Sequence, residues 1–179
     1  KFRGAGLIQA LIIIGLAIPN IMIVMPLFSI VSALNLSGTH FTLIFLYTAC
    51  SVPYTTFFLL TFFKGISTSF EEAAAIDGCG PIQCFWKIMF PLAQPAIVTV
   101  SIFNFIGKWN EYFMALIFAN KSNLRPIGVG LYQTVTSMMN SGDWAGMFAS
   151  VVIVFPTVVI YAFLSDKIIS GVTAGGNKG

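Results

Sequence analysis

Residues 41–63 read FTLIFLYTACSVPYTTFFLLTFF and contain no charged side chain. About 20 apolar residues in a helix span the hydrocarbon core of a bilayer, and a helix satisfies its own backbone hydrogen bonds there. Three further stretches are also mostly apolar, at about residues 7–33, 96–119 and 144–164. The sequence therefore predicts an all-α integral membrane protein, a polytopic helical bundle with four spans.

The composition of the whole chain agrees with this prediction. Of 179 residues, 57% are hydrophobic and only 8% are charged, whereas about a quarter are charged in an ordinary soluble domain. The net charge of +3 is scattered, so no nucleic-acid partner is expected. Cys50, Cys79 and Cys84 lack CxxC spacing and His40 is the single histidine. We therefore expect neither a disulfide framework nor a metal site.

The positive charges orient the spans, because cytoplasmic loops carry an excess of Lys and Arg. Four crossings place both termini and the central loop on one side. That side holds Lys1, Arg3, Lys64, Lys87, Lys167 and Lys178, whereas the other side holds Lys121 and Arg125. Residues 67–91 are therefore predicted to form a cytoplasmic loop, and residues 120–143 an external one.

The cytoplasmic loop contains the acidic, alanine-rich stretch EEAAAIDGCG at residues 71–80. A capping box of Ser69 with Glu72, or of Thr68 with Glu71, would start a helix here, and Gly78 suits its left-handed end. Gly80-Pro81 should start a second helix that ends before Pro91. Two interpretations stay open: a helix that docks on a cytoplasmic partner, or one that rests on its own membrane domain.

The spacing within this loop resembles a known family. Glu72-Ala73-Ala74, Gly78 and Ile88-Met89-Phe90-Pro91 fit the pattern EAA-x3-G-x9-I-x-L-P, with Phe90 in place of Leu. This is the EAA loop of the inner-membrane permease subunits of binding-protein-dependent ABC importers. The resemblance implies the type I permease fold, with a coupling helix in the EAA loop (residues 67–91).

Further stretches resemble the carbohydrate-importing branch of that family, and in particular relatives of the shorter maltose-transporter permease subunit. They are FFKGISTSFEEAAAIDG at 62–78, KWNEYF at 108–113, LRPIGVGL at 124–131 and SGVTAGGNKG at 170–179. The resemblance covers the whole chain as one permease domain, 1–179. It also implies two spans upstream of Lys1, which is not a methionine.

The resemblance implies specific partners for a subunit of the bacterial or archaeal plasma (inner) membrane. A cytoplasmic ABC ATPase dimer would bind ATP, because this chain has no GxxxxGK[ST] motif and is expected to bind no cofactor. Coupling would involve Glu72, Ala73, Ala74, Asp77 and Gly78. A second permease subunit would complete the membrane domain, and membrane lipid would surround both subunits.

An extracytoplasmic solute-binding protein would meet the external segment 120–143. The alternative for this segment is an interfacial helix, with Leu131, Val135 and Met138 toward lipid.

Asn104, Lys108 and Glu111 are spaced i, i+4 and i+7, which predicts one shared helix face in the third span. A charge at membrane depth should face a cavity or a partner charge. Two interpretations stay open: a polar lining of a translocation path, with Trp109 or Tyr112 offering ring faces to a sugar, or an interhelical ion pair that joins two permease subunits.

The function expected from the resemblance is a sugar-importer permease. The same loop would also suit an importer of another solute, such as an amino acid, a phosphate or a glycerol phosphate. A membrane enzyme is disfavoured because the sequence offers no cluster of nucleophile, base and metal ligands. An ion-driven transporter would leave the cytoplasmic loop unexplained.

Overall fold

The computed structural model describes residues 3–119 and 121–163. Every regular element in that part of the chain is helical, which confirms the all-α prediction. Residue 164, at the end of the predicted fourth span, and the stretch 170–179 lie outside the described residues.

The first predicted span is not one helix. Helices α1 (Ala5–Ala17) and α2 (Asn20–Ala33) meet at an angle of 101°. Between them Ile18 is extended, at φ −82° and ψ 117°, because the ring of Pro19 disfavours helical backbone in the preceding residue. Pro26 is accommodated inside α2. The stretch 7–33, predicted as one span, thus consists of two helices with a bend between them.

The second predicted span is the single long helix α3 (His40–Gly65). Its first turn is capped by Thr39, whose hydroxyl accepts the N–H of Thr42 at 3.2 Å. Pro53 remains inside this helix. Helix α1 crosses it at Gly15, where an added Cβ would lie 3.2 Å from the Cγ of Pro53. The missing side chain of Gly15 therefore lets the two helices approach closely.

The EAA loop contains α4 (Ser69–Ile76) and a second helical stretch that begins at Pro81, as predicted. That stretch consists of α5 (Pro81–Cys84), a π-helical segment (Phe85–Met89) and α6 (Phe90–Leu92).

Pro91 does not end the second stretch, so that prediction is wrong. The N–H of Phe90 bonds to the carbonyl of Phe85, five residues back. Pro91 lies two residues after the π-helical segment, inside the same helical stretch, which ends at the next residue, Leu92. A 67° bend follows, and the chain continues as α7 (Gln94–Trp109).

The third predicted span is also interrupted. Helix α7 ends at Trp109, residues 110–112 are non-helical, and α8 (Phe113–Phe118) follows. Glu111 therefore lies in a break between two helices. The prediction that it shares a helix face with Asn104 and Lys108 is wrong.

The external segment is mostly helical. A 3-10 turn (Ser122–Leu124) leads to α9 (Ile127–Ser141) and then α10 (Trp144–Ser150). A second 3-10 turn (Val151–Val154) precedes helix that continues to residue 163.

The apolar side of α9 packs against other parts of this chain. Leu131 and Val135 are half-buried and line a cavity together with Ile153. Met138 lies so close to Gly146 of α10 that an added Cβ there would meet its side chain. These three side chains thus also contact other parts of this chain, and the alternative of an interfacial helix stays a prediction.

A buried core forms where α2, α3 and α8 meet, and it comprises Val24, Val31, Leu43, Leu46, Met114, Phe118, Ala119 and Leu124. Two helical stretches in the described part are long and apolar enough to cross a membrane, His40–Gly65 and Trp144–Phe163. The number rises to 4 if each bent pair is one span. The most apolar part of Trp144–Phe163 is 0% buried against the described residues, so lipid or further protein must cover it.

Candidate functional sites: the EAA loop and a polar groove

Helix α4 begins differently from the prediction. Ser69 is its first helical residue and Thr68 already has helical angles, φ −63° and ψ −19°. Because an N-cap needs non-helical backbone, neither predicted capping box forms. Instead the Oγ of Ser67 accepts the N–H of Ser69 at 3.3 Å. Glu71 and Glu72 remain in the first turn, where their negative charges interact favourably with the helix dipole.

The end of α4 follows the prediction. Gly78 has φ +78°, the left-handed conformation that glycine adopts without strain. Its N–H bonds to the carbonyl of Ala75 at 3.1 Å, and the N–H of Cys79 bonds to that of Ala74 at 2.9 Å. These two bonds form a Schellman motif, which satisfies the last carbonyls of the helix. The space around Gly78 is open, since an added Cβ would meet nothing within 4 Å.

The two faces of α4 have different environments. Ala74 is only 2% exposed and packs with Cys84 and Met89, so it belongs to the chain's own core. Glu72, Ala73, Asp77 and Gly78 are all exposed. Large apolar side chains of the same loop are exposed too, including Ile76 at 86%, Ile82 at 78% and Trp86 at 59%. The EAA loop thus rests on its own domain through Ala74 and turns its other predicted site residues outward.

Glu111 is held by three donors from this chain. Its Oε2 accepts the hydroxyl of Tyr47 at 2.6 Å and the N–H of Ala115 at 3.0 Å, and its Oε1 accepts the N–H of Met114 at 2.6 Å. The two amides belong to the first turn of α8. Glu111 therefore stabilises the start of α8 and connects it to α3 through Tyr47.

Lys108 does not pair with Glu111. Among the described residues no carboxylate lies within 4.0 Å of its Nζ. The ammonium instead lies over the ring of Tyr47, 5.1 Å from the centroid, within the range of a cation–π interaction. Lys108 is also in the last turn of α7, where the helix dipole favours a positive charge.

Asn104 and Lys108 line one groove between α3 and α7, which we call the polar groove. Its volume is about 360 Å³, and its remaining lining is Tyr47, Thr48, Ser51, Val52, Thr55 and Thr56. The Nδ2 of Asn104 donates to the Oγ1 of Thr55 at 2.9 Å.

The sequence analysis missed the contribution of α3 to the polar groove. Tyr47, Ser51 and Thr55 recur every four residues in an otherwise apolar helix, which places them on one face. This spacing was the signal that could have identified them.

An aromatic cavity of about 340 Å³ lies where α7 ends, between α9 and the second 3-10 turn. Trp109, Tyr112 and Tyr132 contribute rings to it. The rings of Tyr112 and Tyr132 are 4.8 Å apart, and the Nε1 of Trp109 donates to the carbonyl of Ile153 at 3.3 Å. The two aromatic residues expected to offer ring faces thus lie in a cavity separate from that of Lys108.

The three cysteines are free thiols. In residues 3–119 and 121–163, no three His, Cys, Asp or Glu side chains are grouped so that they could hold a metal ion. That this chain binds no metal stays a prediction.

Comparison with known proteins identifies the family. Residues 1–170 match the family described as "Binding-protein-dependent transport system inner membrane component". The sulfoquinovosyl glycerol transport system permease protein SmoH of Agrobacterium fabrum is 36% identical over 182 residues, covering 100% of this chain and 62% of that protein. The trehalose/maltose transport system permease protein MalG of Thermococcus litoralis is 34% identical, covering 100% of this chain and 64% of that protein.

A solved structure shares the fold. It is the crystal structure of a bacterial ABC transporter involved in the import of the acidic polysaccharide alginate, matched with a TM-score of 0.74 and 23% identity. The match covers 93% of this chain and 62% of that one. This chain thus spans less than two thirds of both relatives and of the solved chain. Its helical architecture and its sequence agree on one conclusion: the chain belongs to the family of binding-protein-dependent transport system inner membrane components.

Proposed function

We propose that this chain is the permease part of an ATP-driven carbohydrate importer. In this proposal the chain lines the translocation path and couples that path to a cytoplasmic ABC ATPase through the EAA loop. The observation that carries the proposal is the outward face of α4, where Glu72, Ala73, Asp77 and Gly78 are exposed. Two acids at the rim of a small-residue surface suit the basic, close-packing groove of a partner protein.

The same loop offers a mechanical connection to the path. Ala74 packs on Cys84 and Met89, at either end of the π-helical segment. That segment leads through α6 into α7, where Ala93 and Ala96 are each 0% exposed. Because α7 carries Asn104 and Lys108, a displacement of α4 by a closing ATPase would move the polar groove as well.

Energy must come from the partner in this proposal. The sequence contains no phosphate-binding GxxxxGK[ST] loop, so the ATPase dimer binds and hydrolyses ATP. A second permease subunit covers the exposed span Trp144–Phe163 in the membrane. A solute-binding protein delivers substrate to the external segment that contains α9.

Carbohydrate is the proposed solute class because the relatives named above transport sulfoquinovosyl glycerol and trehalose/maltose by their names. The hydroxyl and amide groups of the polar groove suit sugar hydroxyls. An importer of an amino acid, a phosphate or a glycerol phosphate is the alternative. Mass identification of the solute retained by the co-purified binding protein separates the two.

The proposal is tested by Gly78→Asp in the full-length transporter. The added carboxylate enters open space, and the strain of its left-handed backbone is confined to the end of α4. The membrane domain should therefore insert normally while a negative side chain projects from the docking face. Stimulation of ATP hydrolysis by the loaded binding protein should fall at least about tenfold, the effect of losing roughly 1.4 kcal/mol of coupling.

The matched control is Gly4→Asp. Gly4 also has a left-handed backbone, at φ +95°, and an added Cβ there meets nothing within 4 Å, but it lies outside the EAA loop. It should retain coupling. If the loaded binding protein stimulates ATP hydrolysis equally in Gly78→Asp and Gly4→Asp, the proposal that this loop couples transport to the ATPase is wrong. If the purified transporter contains no ATPase chain, the importer function itself is wrong.

A further inference from the structure

Two helices supply complementary polar groups to the polar groove. Helix α3 presents Tyr47, Ser51 and Thr55, and helix α7 presents Asn104 and Lys108. At about 360 Å³, the groove falls within the range of about 300–1,000 Å³ that is typical of small-molecule sites. The groove is therefore large enough for a sugar unit.

Of the side chains that line this groove in the described part of the chain, Lys108 is the charged one, and its charge is positive. Glu111, the carboxylate nearest in sequence, is occupied by the Tyr47 hydroxyl and by two amides of α8. Among the described residues, no carboxylate forms an ion pair with Lys108. The Tyr47 ring and the end of α7 hold the ammonium in place, but neither removes its formal charge. A lysine at membrane depth is costly unless it faces water or an opposite charge.

The hydrogen-bonding capacity of the groove is only partly used. The ammonium of Lys108 has three N–H donors, and an amide such as Asn104 has two N–H donors and one acceptor oxygen. Asn104 uses one donor on the Oγ1 of Thr55. The Thr55 hydroxyl accepts that bond, so its own proton is available. Neutral donors and acceptors suit sugar hydroxyls, whereas the ammonium suits an acidic substituent.

We infer that the polar groove binds an anionic carbohydrate, with Lys108 as the residue that recognises its carboxylate, sulfonate or phosphate group. This inference rests on the proposed function, and it narrows the solute from any sugar to an acidic one. Lys108 determines specificity in the path, and Asn104 and Thr55 contact the sugar hydroxyls. The rival occupant is an acidic side chain of the second permease subunit, which the test distinguishes.

The test measures the local charge with a reporter cysteine in the assembled transporter, after Cys50, Cys79 and Cys84 are replaced by alanine. Thr48→Cys is the reporter, because Thr48 is exposed and lines the groove. Thr136→Cys on α9 is the matched control. Both hydroxyls bond to the carbonyl four residues back, and Thr136 lies outside the groove.

Two methanethiosulfonate reagents, one with a sulfonate and one with a trimethylammonium group, are applied in each nucleotide state. The quantity compared is the ratio of the two reaction rates, anionic reagent over cationic reagent. At Thr48→Cys this ratio should exceed the ratio at Thr136→Cys by at least about fivefold, as expected for one unscreened positive charge nearby. Lys108→Met should abolish that excess, and Lys108→Arg should restore it. The ratio at Thr136→Cys should not depend on Lys108.

A second measurement addresses the sugar. A uronic-acid disaccharide should protect Thr48→Cys at least about fivefold more effectively than the neutral disaccharide of the same linkage, and Lys108→Met should remove this difference. Equal protection by both sugars would overturn the preference for an anion.

If neither reagent reacts in any nucleotide state while transport is intact, another chain covers the groove. The inference then fails although the proposed function stands. A transporter without ATP-driven transport would instead contradict the proposed function.

Discussion

Glu72 and Glu111 are both acidic residues next to the start of a short helix, but their environments are opposite. Glu72 is exposed in the first turn of α4, and no hydrogen bond within the described chain occupies its carboxylate. Glu111 precedes α8 and accepts three hydrogen bonds, one of them from a tyrosine 64 positions away. One carboxylate is available to another protein, and the other holds this chain together.

Gly78 and Gly128 differ in the same way. An added Cβ at Gly78 would meet nothing within 4 Å, whereas one at Gly128 would lie 2.8 Å from the backbone oxygen of Glu111. Gly78 is thus required by its own backbone angle, and Gly128 by the close packing of α9 against the break after α7. The comparison teaches that residues of the EAA loop should affect coupling, and residues around Glu111 should affect folding.

The largest effect on stability is expected for Glu111→Ala. It leaves the Tyr47 hydroxyl and two amides of α8 without their acceptor, which should cost about 3 kcal/mol or more. The purified transporter should lose its monodisperse state at a clearly lower temperature, measured by size exclusion after heating. Glu72→Ala is the control and should leave that temperature unchanged. Equal stability of the two variants would contradict the distinction between the two carboxylates.

A smaller effect is expected for Gly128→Ala, which forces α9 away from the carbonyl of Glu111. Such overpacking typically costs about 1–3 kcal/mol. Gly130→Ala is the matched control in the same helix, because its Cβ would meet nothing within 4 Å. Alanine favours a helix over glycine by about 0.5–1 kcal/mol, so this control should be slightly stabilising. The same heating assay should give shifts of opposite sign, and shifts of the same sign would refute the close packing.

The smallest effect on stability is expected within the EAA loop, for Ala74→Leu. Ala74 is buried against Cys84 and Met89, but α4 is short and lies at the surface, so it can tilt to admit the larger side chain. A loss of about 1 kcal/mol is expected.

Ala73→Leu should leave stability unchanged and instead reduce ATP hydrolysis stimulated by the binding protein. A stable Ala73→Leu variant with normal coupling would place the docking face elsewhere.

Much of the fold could be predicted from local sequence. The uninterrupted apolar run at 41–63 corresponds to α3, because a long apolar helix needs only its own backbone bonds in lipid. The left-handed Gly78 and the start of α5 at Pro81 were also predictable, since both depend on the conformational preferences of single residues. Hydrophobicity alone did not predict the 101° corner between α1 and α2, because apolar side chains occur on both sides of Pro19.

The sequence predicted the positions of some candidate-site residues correctly and of others incorrectly. The pattern of the EAA loop identified five residues, of which four are exposed and Ala74 is buried. The i, i+4, i+7 spacing correctly placed Asn104 and Lys108 together but misplaced Glu111. That spacing assumes a continuous helix, and the stretch 110–112 contains neither proline nor glycine to signal the break.

The sequence by itself determined that this chain belongs in a membrane, and it located the acidic, small-residue loop between spans. Both conclusions rest on the composition of short continuous stretches, so they do not depend on distant parts of the chain. Only the tertiary structure decided which carboxylate is available. Glu111 is engaged because Tyr47 of α3 and the first turn of α8 converge on it, which leaves Lys108 as the charge of the polar groove. Hydrogen bonds between residues so far apart in sequence depend on helix packing, which local patterns do not specify.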